Sequence, residues 1–275
     1  MRGRGSGPRL MAGIDTRVRV RRRLGLPVKA PKGWREGAPD FVGVGAQRSG
    51  TSWWFRQLTG HPDVVAPWGK ERHYFDRFWR REFTAADAAG YRRLFPRPDG
   101  ALTGEWTPRY MYDPWTPRLL SASAPDAKVL VILRDPWERF LSGMAHETRV
   151  LGRELGRTNG DYLRLMIRGD ALQRSRYAEQ LERIVGRFDR GRVLVLQYER
   201  CVREPEAELE RTFRFLGLDA PRSGAIERRP DAARPRAHEL PAALAEQMRA
   251  SLAEDAEALA RAVPEIDLEL WPSCR

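Results

Sequence analysis

Two glycines five positions apart, Gly45 and Gly50, enclose Ala46-Gln47-Arg48-Ser49 where the apolar run Phe41–Val44 breaks off. Glycines let a chain turn tightly enough for main-chain N–H groups to converge on an anion, and the helix that follows adds unpaired donors and the positive end of its dipole. A loop built for a nucleoside triphosphate would place Lys and then Ser or Thr after the second glycine. Here Thr51 and Ser52 follow directly, and the only cation is Arg48, inside the loop. Arg48, Ser49, Gly50, Thr51 and Ser52 are therefore candidates for holding a nucleotide whose 5′ end carries something shorter than a triphosphate.

A second constellation begins at Lys128-Val-Leu-Val-Ile-Leu133, a continuous apolar strand of the kind buried in a parallel sheet, which runs straight into Arg134-Asp135-Pro136-Trp137-Glu138. Asp135 fits an N-cap, Pro136 the first helical position and Glu138 the reciprocal place in a capping box. Trp137, Phe140, Leu141 and Met144 form the expected buried stripe, with Ser142 off it. An arginine at the end of a strand and a serine two turns along the next helix can meet a second phosphate at the crevice of an open α/β sheet.

With these residues in view the chain resembles the sulfotransferases. Arg48-Ser-Gly-Thr51 and Leu133-Arg134-Asp135-Pro136, with Ser142 eight residues after the arginine, are similar to that family's two donor motifs. The resemblance implies 3′-phosphoadenosine 5′-phosphosulfate (PAPS) as donor and adenosine 3′,5′-bisphosphate (PAP) as product, the first motif on the 5′-phosphosulfate and the second on the 3′-phosphate. Lys70-Glu71-Arg72-His73-Tyr74-Phe75-Asp76 and Gly104-Glu105-Trp106-Thr107-Pro108-Arg109-Tyr110 resemble segments of the heparan-sulfate and related carbohydrate subgroup. That likeness assigns Glu71 the role of general base, sets His73 and Asp76 beside the acceptor, and puts Trp106 at the acceptor side in place of a lysine. Arg48 likewise stands where many members have a lysine; it keeps charge and forked donors and gives up proton donation.

The implied reaction moves a sulfonyl group to a hydroxyl or amine of a carbohydrate, glycolipid or small metabolite. It needs a base and a cationic clamp, here Glu71 and Arg48. Burial among Trp68, Tyr74 and Phe75 is expected to raise the Glu71 pKa, and His73 is the alternative base. No His/Cys/Asp spacing of a metal site is present, and no metal is expected. Two other readings are a P-loop kinase, which would depend on Mg²⁺ and ATP, and a non-catalytic basic binder of polyanions. Glu199, beyond the apolar run Val193–Leu196, is read as capping a turn or the helix near Glu204, and His61, His146 and His238 as structural.

The elements that must carry these groups follow from length and pattern. A chain of 275 residues, 41% hydrophobic, with strands and helices alternating, implies one α/β domain, P-loop-like, with a central parallel sheet flanked by helices. Its bounds are set at 39–275. Apolar periodicity predicts helices at 51–59, 170–188 and 240–262, a helical cover over 76–98, and a loop over 221–235 whose Arg228, Arg229, Arg234 and Arg236 could assist the donor.

The net charge of +12 lies mostly in residues 1–38, where eleven basic residues face two acids. This segment is expected to be a flexible arm, with contact to an anionic membrane surface open to it, and no nucleic-acid partner is expected. Met11 is a second candidate start. Two distant cysteines, Cys201 and Cys274, and the lack of a long apolar run or leader-like stretch lead to the expectation of a cytoplasmic protein without a membrane span.

Overall fold

In the computed structural model, residues 30, 32–66, 69–150, 170–219, 226 and 240–274 are described, with the side chains of 148–150 excepted. Five short runs form the sheet: β1 (Phe41–Gly45), β2 (Val64–Val65), β3 (Leu102–Trp106), β4 (Lys128–Leu133) and β5 (Val193–Gln197). All pair parallel, in the order β2-β3-β1-β4-β5. The strands of β1 and β5 are buried throughout and β4 from Val129 on, as a sheet covered on both faces requires. The α/β class read from the sequence is the one observed.

Alternate residues of each strand feed two cores. Val42, Val129, Val131, Leu133 and Val195 join Tyr110, Tyr177, Ile184 and Trp271 on one face. Phe41, Trp106, Leu130, Ile132 and Leu196 join Trp54, Leu58 and Phe213 on the other. The first face is covered by α2 (Ala85–Arg92), α3 (Thr116–Ser123), α5 (Ala178–Val185) and part of α8 (Ala242–Ala262); the second by α1 (Thr51–Thr59) and, after the short α6 (Tyr198–Arg203), α7 (Pro205–Leu216). Between them α4 (Pro136–Val150) packs Trp137, Phe140 and Met144 against Met248 and Leu252 of α8.

From β1 the chain moves outward through β2 and β3, then returns past β1 to β4. The C-terminal ends of β1 and β4 thus form the point where strand order reverses, the crevice in which open α/β sheets hold ligands. Both phosphate-binding motifs read from the sequence begin there.

Three expectations change in detail. The helix expected over 170–188 starts only at Ala178, after a left-handed Asp170 (φ 53°) and a 3₁₀ turn at Gln173–Ser175. Its start is fixed by tertiary contact, because Asp255 of α8 accepts from the N–H groups of Tyr177 (2.5 Å) and Ala178 (3.2 Å). The cover over 76–98 is a 3₁₀ turn (Asp76–Trp79) followed by α2, the latter begun by a Thr84–Asp87 capping box. Residues 32–38 lie against the domain, Arg35 exchanging main-chain hydrogen bonds with Arg97 at 2.9 and 3.0 Å. Residues 1–29, the loop cations Arg228, Arg229, Arg234 and Arg236, His238 and Trp68 lie outside the described residues.

Candidate active site

β1 ends at Gly45, and the loop beyond it turns through two left-handed residues, Arg48 (φ 71°) and Gly50 (φ 82°). Glycine takes that conformation freely; Arg48 holds it at a cost of about 1 kcal/mol or more, a strain typical of ligand-binding turns. Gly50 is the N-cap of α1 and supplies no side-chain cap, which leaves the first-turn N–H groups at the crevice. Ser49 and Thr51 are buried in the turn, while Ser52 is exposed on α1, its carbonyl accepting from Arg56 at 3.3 Å.

Across the crevice, β4 delivers Arg134 and α4 delivers Ser142. Arg48 Nε donates to Ser142 Oγ at 3.2 Å across 94 positions of sequence, and an Arg134 terminal nitrogen lies 3.5 Å from the Arg48 carbonyl oxygen. Arg134 is held from three sides. Glu138 pairs with it at 3.1 Å, its guanidinium lies 5.2 Å from the Tyr198 ring centre, and its carbonyl accepts from the Tyr177 hydroxyl at 3.0 Å. Arg48, Arg134 and Ser142 are thus brought together as the sequence implied.

Ser142 is buried but lies off the packed stripe, facing Arg48. One local expectation is corrected. Asp135 caps α4 through the N–H groups of Trp137 (3.0 Å) and Glu138 (3.1 Å), but no capping box closes. The Asp135 N–H goes instead to Glu199 Oε1 at 2.9 Å, and Glu138 turns to Arg134.

Glu199 also accepts from Trp271 Nε1 at 2.9 Å, so it ties the end of β4 to the C-terminal segment. Burial lifts its pKa to about 7 against the pull of these donors. His61 is structural in the same sense: its Nδ1 accepts from the Asp63 N–H at 3.1 Å, so Nε2 carries the proton and donates to the Asp219 carbonyl at 2.8 Å.

Two cations were not singled out in the sequence. Arg174, buried, donates to Gln47 Oε1 of the glycine turn at 2.9 Å and stacks 4.8 Å from the Tyr112 ring centre. Arg139 is fully buried beneath the crevice; it donates to the Ala171 carbonyl at 2.5 Å, and its Nε and one terminal nitrogen have no partner among the described residues. Burial lowers its pKa to about 10, with Arg174, Arg48 and Arg134 adding repulsion. The spacing Arg134–Arg139 marks the same helix as the serine, but a surface cation and a buried one look alike in sequence.

The run Lys70–Asp76 lies over the end of β3, the neighbour of β1. Its backbone is fastened from below. The Lys70 carbonyl accepts from the Trp106 N–H at 2.9 Å, and the Arg72 N–H meets Thr107 Oγ1 at 2.9 Å and Glu105 Oε2 at 3.1 Å. Tyr110 takes the Tyr74 N–H at 2.9 Å. Glu105 is fully buried and also accepts from the hydroxyls of Tyr91 (2.8 Å) and Thr107 (2.5 Å); burial raises its pKa despite them.

On this platform the side chains form one line. Lys70 Nζ is 2.6 Å from Glu71 Oε1, Glu71 Oε2 is 3.0 Å from His73 Nε2, and His73 Nδ1 is 2.8 Å from Asp76 Oδ2. Arg109 Nε continues it, 3.9 Å from Asp76 and 2.8 Å from Asp113. With a carboxylate on each ring nitrogen, hydrogen bonds to Asp76 and Glu71 raise the His73 pKa to about 10. Burial alone pushes Glu71 upward, as expected from the sequence, but His73 and Lys70 together overcome it and bring its pKa down to about 2. The expected rise is therefore reversed.

Trp106 is the clearest correction. Placed at the acceptor side by resemblance, it is fully buried under β1: a Cβ on Gly43 would come within 2.0 Å of its ring, and its Nε1 donates to the Gly45 carbonyl at 3.2 Å. It supports the glycine turn from beneath and presents no face to a substrate. Among the described residues no cluster of three His, Cys, Asp or Glu side chains is arranged to hold a metal ion.

A glycine turn without the triphosphate lysine, a guanidinium and serine on the next strand–helix unit, and a carboxylate line over the end of the adjoining strand define a class. Residues 38–231 match the sulfotransferase domain family, and the chain belongs to it. Among curated relatives it is 34% identical over 206 residues to heparan sulfate glucosamine 3-O-sulfotransferase 6 of Homo sapiens, covering 70% of this chain and 56% of the relative. It is 33% identical to the 3A1 enzyme of Mus musculus, covering 66% and 46%. The chain thus spans about half the length of these relatives. Among solved structures, a sulfotransferase from Alicyclobacillus acidocaldarius superposes with a TM-score of 0.64 at 26% identity, covering 85% of this chain and 98% of that one. A sulfotransferase domain of the Synechococcus olefin synthase shares the fold at a TM-score of 0.52 and 18% identity.

Proposed function

We propose that the protein transfers a sulfonyl group from PAPS to a hydroxyl on a carbohydrate-type acceptor, releasing PAP, with Glu71 as the base. The observation that carries this reading is the contact of Arg48 with both Ser142 and Arg134, which joins the two motifs into one site. The glycine turn and the open first turn of α1 would take the 5′-phosphosulfate, and Arg134 with Ser142 the 3′-phosphate. ATP lacks that second anion, and a cationic site left without it loses affinity.

Sulfonyl transfer requires the acceptor oxygen to lose a proton as the S–O bond forms and the bridging oxygen to gain charge as its bond to sulfur breaks. Glu71 accepts the proton. His73, positively charged at neutral pH because of its two carboxylates, has no free nitrogen lone pair; it orients Glu71 and does not compete as base. Arg48 neutralises the departing bisphosphate by charge and hydrogen bonding alone. The relatives named for a 3-hydroxyl of glucosamine favour an oxygen over an amine as the acceptor atom.

The buried thiols Cys201 and Cys274, unpaired, accord with a reducing compartment, so a cytoplasmic site is retained in the proposal. Among the described residues no helix is long and apolar enough to cross a membrane. Contact of the basic arm with an anionic surface belongs to residues outside those described.

Thermal stabilisation by adenosine 3′,5′-bisphosphate, compared with ATP and AMP, tests the donor site. The bisphosphate should raise Tm selectively and the effect should vanish in Arg134→Ala; equal stabilisation by ATP overturns the reading. Transfer of label from PAPS, lost in Glu71→Gln with the bisphosphate shift intact, tests the base.

A further inference from the structure

Beside the carboxylate line lies a cavity of about 490 Å³, between the segment 109–115 and the turn and helix from Gln173 to Arg183. That volume is within the roughly 300–1,000 Å³ of small-molecule sites. Two of its wall residues contact groups that belong to the two halves of the site. On one side Arg109, in its wall, approaches Asp76 and so continues the line from Glu71; on the other Tyr112, also in its wall, stacks on Arg174, which holds Gln47 of the glycine turn. A molecule seated here is connected to the proposed base through Arg109, Asp76 and His73, and to the glycine turn through Tyr112 and Arg174.

The walls are charged, yet in pairs. Arg109 meets Asp113 at 2.8 Å, Arg183 meets Glu179 at 2.6 Å and Arg176 faces Asp255 at 3.9 Å, three cations against three anions. A carboxylated or sulfated chain seeks guanidinium and ammonium groups that are not already neutralised, and here it would meet a carboxylate beside each one. Sugar hydroxyls, which donate and accept at once, match alternating Asp, Arg and Gln side chains, and the rings of Tyr112 and Trp115 offer surfaces for C–H faces. Two buried atoms at this border, Asp76 Oδ1 and Arg183 Nε, one acceptor and one donor, have no partner among the described residues.

We propose that this cavity is the acceptor subsite and that it takes an uncharged, polyhydroxylated acceptor, a neutral glycoside, in preference to an anionic polysaccharide. The inference rests on the sulfonyl-transfer reading above and narrows its substrate class. The non-reacting ring lies against Tyr112 and Trp115, its hydroxyls bond to Arg109, Gln173 and Arg176, and one further hydroxyl is directed to Glu71.

Labelled PAPS offered with maltose, cellobiose or N,N′-diacetylchitobiose, and separately with heparosan and heparan sulfate oligosaccharides, reads this directly. A neutral sugar should be labelled with the higher kcat/KM. In Arg176→Ala, at a half-exposed position, loss of a hydrogen bond worth about 1 kcal/mol should raise KM for that sugar about fivefold while the bisphosphate thermal shift stays as in the wild type. Glu179→Lys, also exposed, turns the balanced wall cationic and should move relative kcat/KM toward heparosan. Preference for the anionic oligosaccharides in the wild type, no labelling of any neutral sugar with the bisphosphate shift intact, or an unchanged KM in Arg176→Ala overturns the acceptor class alone. Absence of the bisphosphate shift overturns the donor reading as well.

Discussion

The imidazole of His73 lies 3.0 Å from the carboxylate of Glu71 and is turned toward it by Asp76, 2.8 Å from the other ring nitrogen. One charged ring therefore sets both the position of the proposed base and its proton affinity. Loss of the ring should free the Glu71 pKa to rise from about 2 toward its ordinary 4.5. In His73→Asn the acid limb of log kcat/KM against pH is expected to move upward from its wild-type position, with a lower plateau. An unmoved acid limb would separate Glu71 from the proton transfer.

The same pair fixes a stability profile. The Glu71 pKa is depressed on folding, so its contribution is present above 4.5 and is lost as pH falls toward about 2. The His73 pKa is raised, so its contribution is full below 6.5 and is lost as pH rises through about 10. The Tm advantage of the wild type over His73→Asn should be widest between about pH 4.5 and 6.5 and shrink toward both extremes. A difference constant across pH would show that the substitution acts through packing.

In the proposed donor site Arg134 and Ser142 would meet the 3′-phosphate with unequal means. A hydrogen bond to an anion contributes about 1.5–3 kcal/mol, and Arg134 adds a full charge and a second donor to what the single Ser142 hydroxyl offers, so Arg134→Ala should weaken adenosine 3′,5′-bisphosphate binding about a hundredfold and Ser142→Ala about tenfold. Ser142 also holds Arg48 at 3.2 Å, so its loss should lower kcat as well as affinity. Calorimetric titration and steady-state rates on both variants read the two effects separately.

The two strand–turn–helix units were legible because they join a local pattern to a fixed geometry: an apolar strand, a turn, then a helix start. Arg48, Arg134 and Ser142 meet for that reason. Two features escaped because they are made by distant chain: the α5 start depends on Asp255, 77 residues beyond Ala178, and the Asp135 N–H is claimed by Glu199, 64 residues on. The direction of the Glu71 shift escaped although its causes are local, because it depends on whether burial or the adjacent Lys70 and His73 prevail. Trp106 misled for a different reason. On a strand buried on both faces an aromatic residue in a motif position is first a packing residue, and Gly43 leaves a space above it that only a large ring fills.

That packing role makes its own prediction. Trp106→Lys would install the cation of the resembling enzymes at a fully buried position beneath Gly43 and Gly45, removing the ring and leaving an unpaired charge. Loss of a buried tryptophan costs about 3–5 kcal/mol before any charge penalty. Urea unfolding should show a destabilisation of at least that size. Unchanged stability with an altered acceptor KM would return Trp106 to the acceptor side.

Glu199 offers the last test, because its two partners both donate. A glutamine there can accept from only one of the Asp135 N–H and the Trp271 Nε1–H, and its amide turns a donor toward the other. At pH 5, where the wild-type side chain is mostly protonated, Glu199→Gln should lose about 1 kcal/mol from the forfeited bond. The wild-type pKa is raised on folding to about 7, so folding disfavours the ionised form, and wild-type stability is expected to decline as pH rises from 4.5 through 7. The glutamine does not titrate and escapes that decline. The Tm gap between the two proteins should therefore narrow from pH 5 to pH 8, and a gap that widens would mean the buried carboxylate is held as an anion by these donors and not penalised by its surroundings.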